Sequence, residues 1–126
     1  MINDAIKKES NNYYAYYILG NYYSSKKDHS LAINSYISCI QIKNDYSDAY
    51  YNLGNEYYES GNIEEAIKYF LKTIEINPAD KLAHNNLGVA YEMSGNREKA
   101  IEHYRISANL GFEPARNVLK HYGFLK

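Results

Sequence analysis

The chain is 126 residues long, carries a net charge near −1, and contains sixteen tyrosines, no tryptophan and a single cysteine. That length is one domain's worth; the balanced charge argues against a phosphate-binding surface built on basic excess, and one cysteine excludes an internal disulfide framework. No run approaches 18 apolar residues and MINDAIKKESNN lacks the apolar stretch of a signal peptide, so a reducing, cytoplasmic setting with no membrane contact is expected.

The elements follow from a period. The run YYNLGNEYYESGNIEEAIKYFLKTIEINP from Tyr50 reappears from His84 as HNNLGVAYEMSGNREKAIEHYRISANLGF, with a looser copy from Tyr16. Self-similarity at a fixed 34-residue shift means stacked helical hairpins, not one globular core. In chain order, residues 1–12 open as part of a second helix, because Ile2, Ala5 and Ile6 fall where Tyr36, Cys39 and Ile40 fall one period later. That opening suggests either a segment of a longer array or an improvised N-terminal cap.

Three contiguous repeats follow at 13–46, 47–80 and 81–114, each reading as two amphipathic helices. In the middle copy Tyr50, Leu53, Tyr57 and Tyr58 mark the first helix, and Ile63, Ala66, Ile67, Phe70, Ile74 and Ile76 the second. Ser60-Gly61-Asn62 and Ser94-Gly95-Asn96 supply a helix stop and a fresh start, glycine in the left-handed conformation and asparagine as the next cap. Lys27 stands where those turns have glycine, so a looser turn is expected at Lys26-Lys27-Asp28. Pro78 ends the middle repeat. A capping helix at 115–126, opened by Pro114 and stopped by Gly123, completes the chain.

Gly20, Gly54 and Gly88 lie inside first helices, where glycine costs about 1 kcal/mol relative to alanine. The repeated penalty points to close helix approach, with Ala32, Ala66 and Ala100 small on the second helices and Tyr36, Phe70 and Tyr104 filling the space. This pattern resembles the tetratricopeptide repeat family. The resemblance rests on Tyr16-Leu19-Gly20-Tyr23, Tyr50-Leu53-Gly54-Tyr57 and His84-Leu87-Gly88-Tyr91 together with the alanine–aromatic set, and it spans residues 13–114. The stretch Ala108 to Ala115 is similar to the Sel1-like variant. The resemblance implies an all-α, right-handed solenoid of three hairpins that binds a protein or peptide in a concave groove.

Transferred residue by residue, the groove face implied by the family comprises Tyr14, Tyr17, Ile18, Asn21, Ser24 and Ser25 from the first repeat. The second contributes Asp48, Tyr51, Asn52, Asn55, Tyr58 and Glu59, and the third Leu82, Asn85, Asn86, Val89, Glu92 and Met93. Asn52 and Asn86, with Asn21 and Asn55, form a carboxamide ladder able to hold a peptide bond through its C=O and its N–H. Asparagine as a plain habit of these positions is an equal alternative, and the Tyr/Asn bias matches AT-rich codons. A carboxylate clamp of the kind some family members use fails on the three full repeats, where Tyr17, Leu82 and Asn86 take the basic positions. One repeat along, Asn55 and Asn86 match and Arg116 and Lys120 supply two cations, while Tyr51 replaces a lysine.

Catalysis and cofactors are not expected. His29, His84, His103 and His121 show no metal-site spacing, and Cys39 shares its register with Thr73 and Ser107, a small-residue packing position. The expected function is an adaptor or scaffold, monomeric or weakly self-associating, taking an extended segment or C-terminal tail of a protein partner and no nucleic acid. A substrate-recruiting arm of a larger enzyme, such as a protein-modifying glycosyltransferase, and a self-associating assembly module stand as alternatives.

Overall fold

The computed structural model describes residues 12–124 as seven helices: α1 (Tyr13–Ser25), α2 (His29–Ile42), α3 (Ser47–Glu59), α4 (Ile63–Ile76), α5 (Lys81–Met93), α6 (Arg97–Asn109) and α7 (Glu113–His121). No strand occurs among the described residues, and none of their helices is long and apolar enough to cross a membrane. Each helix packs chiefly on its neighbours in sequence. The fold is therefore an all-α solenoid of three hairpins, α1–α2, α3–α4 and α5–α6, with α7 laid against α6. The expected N-terminal part-repeat, with Ile2, Ala5 and Ile6, lies outside the described residues.

Short polar side chains start most of these helices. Asn12, Asp28, Asp80 and Asn96 each accept from the backbone N–H three residues on, at 3.2, 3.3, 3.0 and 3.2 Å. Asn62 also stands at an N-cap, but contrary to expectation its side chain makes no capping bond. Glu64 and Glu65 in the first turn of α4 place negative charge at that helix end instead.

The turn at Lys27 is not looser than the others. Lys27 takes φ 61°, beside 84° at Gly61 and 87° at Gly95. The closing bonds match as well: Asp28 N to Tyr23 O is 2.9 Å, Asn62 N to Tyr57 O 2.8 Å and Asn96 N to Tyr91 O 2.8 Å. Hydrogen bonding and the Asp28 cap hold a lysine in a backbone conformation that glycine adopts freely.

The helical glycines do what their repetition implied. A Cβ added at Gly20, Gly54 or Gly88 would lie 2.5, 2.5 or 2.7 Å from a ring carbon of Tyr36, Phe70 or Tyr104. These rings and the alanines Ala32, Ala66 and Ala100 are buried. Cys39, Thr73 and Ser107 are fully buried at one shared register, and burial pushes the Cys39 thiol up to about 11. That is an inert thiol at neutral pH.

Away from these ring contacts, a second set of aromatic contacts ties the second and third hairpins. Tyr50 stacks on Tyr69, which also stacks on Tyr57. One period later the same positions hold His84, His103 and Tyr91, again stacked. Tyr50 Oη donates to Asn44 O at 2.9 Å, and His84 Nε2 sits 2.9 Å from Pro78 O, the equivalent carbonyl. Two different side chains thus anchor the same turn.

Candidate functional site

A cavity of about 510 Å³ opens along the first helices of the hairpins. Among the expected groove residues, Asn21, Asn52, Asn55, Tyr58, Glu59, Asn86 and Val89 line it, as do Ser24 and Ser25. Tyr36, Phe70 and Glu56 complete the wall. Tyr14, Tyr17, Asp48, Tyr51, Met93, Arg116 and Lys120 are not part of that lining. Tyr14, 55% exposed, stacks on Tyr17, while Met93 is 63% exposed and Asp48 stands open to solvent. Exposed Arg116 pairs with Glu113 of its own helix, Nε to Oε1 3.7 Å, and Lys120 is exposed.

The asparagines are not independent carboxamides. Asn52 Nδ2 donates to Tyr17 Oη at 3.2 Å and to Asn21 Oδ1 at 3.1 Å. Asn86 Nδ2 donates to Tyr51 Oη at 3.1 Å and to Asn55 Oδ1 at 2.9 Å. One geometry is thus built twice, one period apart, by residues reaching from each repeat back to the one before. Tyr17 and Tyr51 are therefore supports of the ladder. They tilt against Tyr36 and Phe70 at the same 5.9 Å and 51°.

Both N–H bonds of Asn52 and Asn86 are consumed in this way. No protein partner among the described residues takes the Asn52 or Asn86 Oδ1 or the Asn55 Nδ2, while the Asn21 amide also hydrogen-bonds the Tyr17 hydroxyl. Each couple therefore retains one acceptor and at least one N–H donor. The first is stiffened further, because Tyr36 Oη donates to Asn21 Oδ1 at 2.5 Å and lies 3.4 Å from Asn52 Nδ2. Burial, then the nearby Glu56, raises the Tyr36 pKa, which keeps that hydroxyl a donor at neutral pH.

The third repeat breaks the ladder. Its equivalents of Asn21 and Asn55 is Val89, and Asn85 replaces the supporting tyrosine, its Oδ1 buried without a partner. Glu92, placed on the groove face by the family resemblance, accepts from the Tyr104 hydroxyl at 2.6 Å and from that of Tyr122. Arg97 covers the Tyr122 ring, 4.3 Å from its centroid. These contacts fasten the last turn of the chain to α5.

Sequence reading missed Glu56. It is 3% exposed, accepts from Ser24 Oγ at 2.7 Å through Oε2, and meets His29 Nδ1 at 2.9 Å through Oε1. The available signal was its register: the position holds tyrosine one repeat earlier and alanine one repeat later, so a carboxylate there is out of pattern.

Models of the tetratricopeptide repeat match residues 13–46, 47–80 and 69–102, the first two framing whole hairpins and the third straddling two. These matches stop short of the 108–115 stretch, whose Sel1-like character remains a resemblance. Two crystal structures of MamA superimpose with TM-scores of 0.81 and 0.78 at 31% identity, over 88% of this chain. The chain spans 65% and 61% of those two MamA chains. The N-terminal domain of stress-induced protein-1 from C. elegans aligns over 89% of this chain and 94% of its own, with a TM-score of 0.80. At 21% identity it shows the fold alone. No curated protein matches in sequence. The chain belongs to the tetratricopeptide repeat family.

Proposed function

We propose that this member of the tetratricopeptide repeat family is a protein-binding adaptor or scaffold that holds an extended segment of its partner in the cavity along α1, α3 and α5. The observation carrying this reading is the pair of amide couples, Asn21–Asn52 and Asn55–Asn86. Each retains one donor and one acceptor in a cavity wall, spaced by a single repeat. A peptide bond asks for one acceptor and one donor, and each couple offers both. Binding through the backbone leaves side-chain preference to the neighbours, Tyr58 and Val89 for apolar groups and Glu59 for a basic one.

An internal segment suits this wall better than a C-terminal carboxylate. Arg116 is paired with Glu113, and neither Arg116 nor Lys120 lines the cavity. No catalytic role is assigned to the cavity's residues; its amides, hydroxyls and rings hold and orient.

The test is a peptide-library screen with the parent and Asn21→Asp/Asn55→Asp. Aspartate keeps the Oδ1 that Asn52 and Asn86 need, but replaces the outward N–H₂ with an acceptor. An unpaired buried polar group costs about 1–3 kcal/mol, so captured peptides should bind the folded variant roughly tenfold weaker or worse. Unaltered affinity for every captured peptide would sink the reading.

A further inference from the structure

We propose that the chain carries a divalent-metal site at the junction of the first and second hairpins, with His29, Glu56 and Glu59 as its protein ligands. His29 opens α2, and the two glutamates stand one turn apart on α3. Their ligating atoms all lie within 4.8 Å of one another, His29 Nδ1 and Glu56 Oε1 at 2.9 Å. A tetrahedral ion with bonds of about 2.0–2.2 Å spaces its ligand atoms roughly 3.4 Å apart, so closing on an ion requires side-chain shifts on the order of 1 Å.

The surroundings are those of a metal ligand. Ser24 Oγ donates to Glu56 Oε2 at 2.7 Å, fixing the carboxylate and leaving Oε1 to His29. Ligating carboxylates are oriented by such outer hydrogen bonds. Two carboxylates and a neutral imidazole cancel the charge of a divalent ion, and no lysine or arginine among the described residues lines the cavity that Glu56 and Glu59 border.

Register separates this cluster from ordinary repeat packing. One period on, His29, Glu56 and Glu59 become Ile63, Ala90 and Met93, none of them charged. A carboxylate 3% exposed, where the next copy has alanine, carries a desolvation cost that a bound cation offsets. One imidazole and two carboxylates suit zinc or another first-row divalent ion, whereas calcium takes six to eight oxygens. Because both glutamates line the cavity, the open coordination side borders the groove. This site does not depend on the peptide-binding reading.

The experiment uses the untagged full chain, stripped with a chelator and titrated with Zn²⁺ by calorimetry and with Co²⁺ by visible absorption. One equivalent should bind, raise the melting temperature with rising free metal, and give the intense visible bands of low-coordinate cobalt. Glu59→Gln, at an exposed ligand, and His29→Ala should each weaken binding by about tenfold or more. His121→Ala, on the exposed end of α7, should leave it unchanged. No saturable binding up to about 1 mM metal overturns the proposal, and parental affinity in either ligand variant overturns the three-ligand assignment.

Discussion

Lys27 shows how far a single residue can depart from the repeat without changing it. An L-residue at positive φ costs about 1 kcal/mol or more against glycine, partly offset because glycine loses more chain entropy on folding. Nothing lies within 4 Å of a Cβ added at Gly61, so the cost at this register is one of backbone alone. Lys27→Gly should therefore raise unfolding free energy by about 0.5–1 kcal/mol in urea denaturation, and Gly61→Ala should lower it by about 1 kcal/mol. A Lys27→Gly chain less stable than the parent would overturn this account. The missing glycine was legible in sequence; the unchanged turn was not, because the Asp28–Tyr23 bond that closes it runs between backbone groups and forms whichever side chain stands at 27.

Between helices, the exchange of a tyrosine stack for a histidine stack makes one hairpin answer to acid. Pro78 O can only accept, so His84 Nε2 carries the proton and His84 Nδ1 accepts from His103 Nδ1–H at 3.1 Å. His103, 8% exposed, has its pKa held below the usual value near 6.5, first by burial and then by His84; Lys99 adds to the lowering and Glu102 opposes it. The unfolded chain thus takes up this proton before the folded one does. The stability it contributes is complete above about pH 6.5 and is lost as pH falls through that value towards the depressed one. Melting temperature should drop between pH 7 and 5, and His84→Tyr/His103→Tyr, which copies the Tyr50–Tyr69 pair, should flatten that slope. Equal slopes in parent and variant would rule the pair out as its source. The register made this equivalence readable from sequence, as it did the glycine–ring contacts and the membership of the amide ladder. It could not reveal that the asparagines bond one another, nor bring His29 to Glu56 across 27 residues, because such meetings depend on helix rotation and not on spacing.

Across the whole molecule, stability is distributed along a line. Because each helix rests chiefly on its neighbours in sequence, a defect should be felt in proportion to how many hairpins depend on the damaged one. The same substitution can be made at three equivalent places, since Gly20, Gly54 and Gly88 face rings at nearly the same distance. Overpacking of this kind costs about 1–3 kcal/mol. Gly20→Ala should speed amide exchange in α1 and α2 while α5 to α7 keep their protection. Gly54→Ala, in the hairpin that joins the other two, should loosen α1 to α4 and also expose the face of α5 that rests on α4. Hydrogen exchange read by mass spectrometry separates these patterns, and a uniform loss of protection in Gly20→Ala would mean the chain unfolds as one unit. Both amide couples of the groove bridge successive hairpins, Asn52 back to Asn21 and Asn86 back to Asn55. A partner lying across them would therefore tie together hairpins whose own coupling is only nearest-neighbour. Bound peptide should then suppress the local opening in Gly20→Ala more strongly than it slows exchange in α6 and α7, which lie beyond the last amide couple.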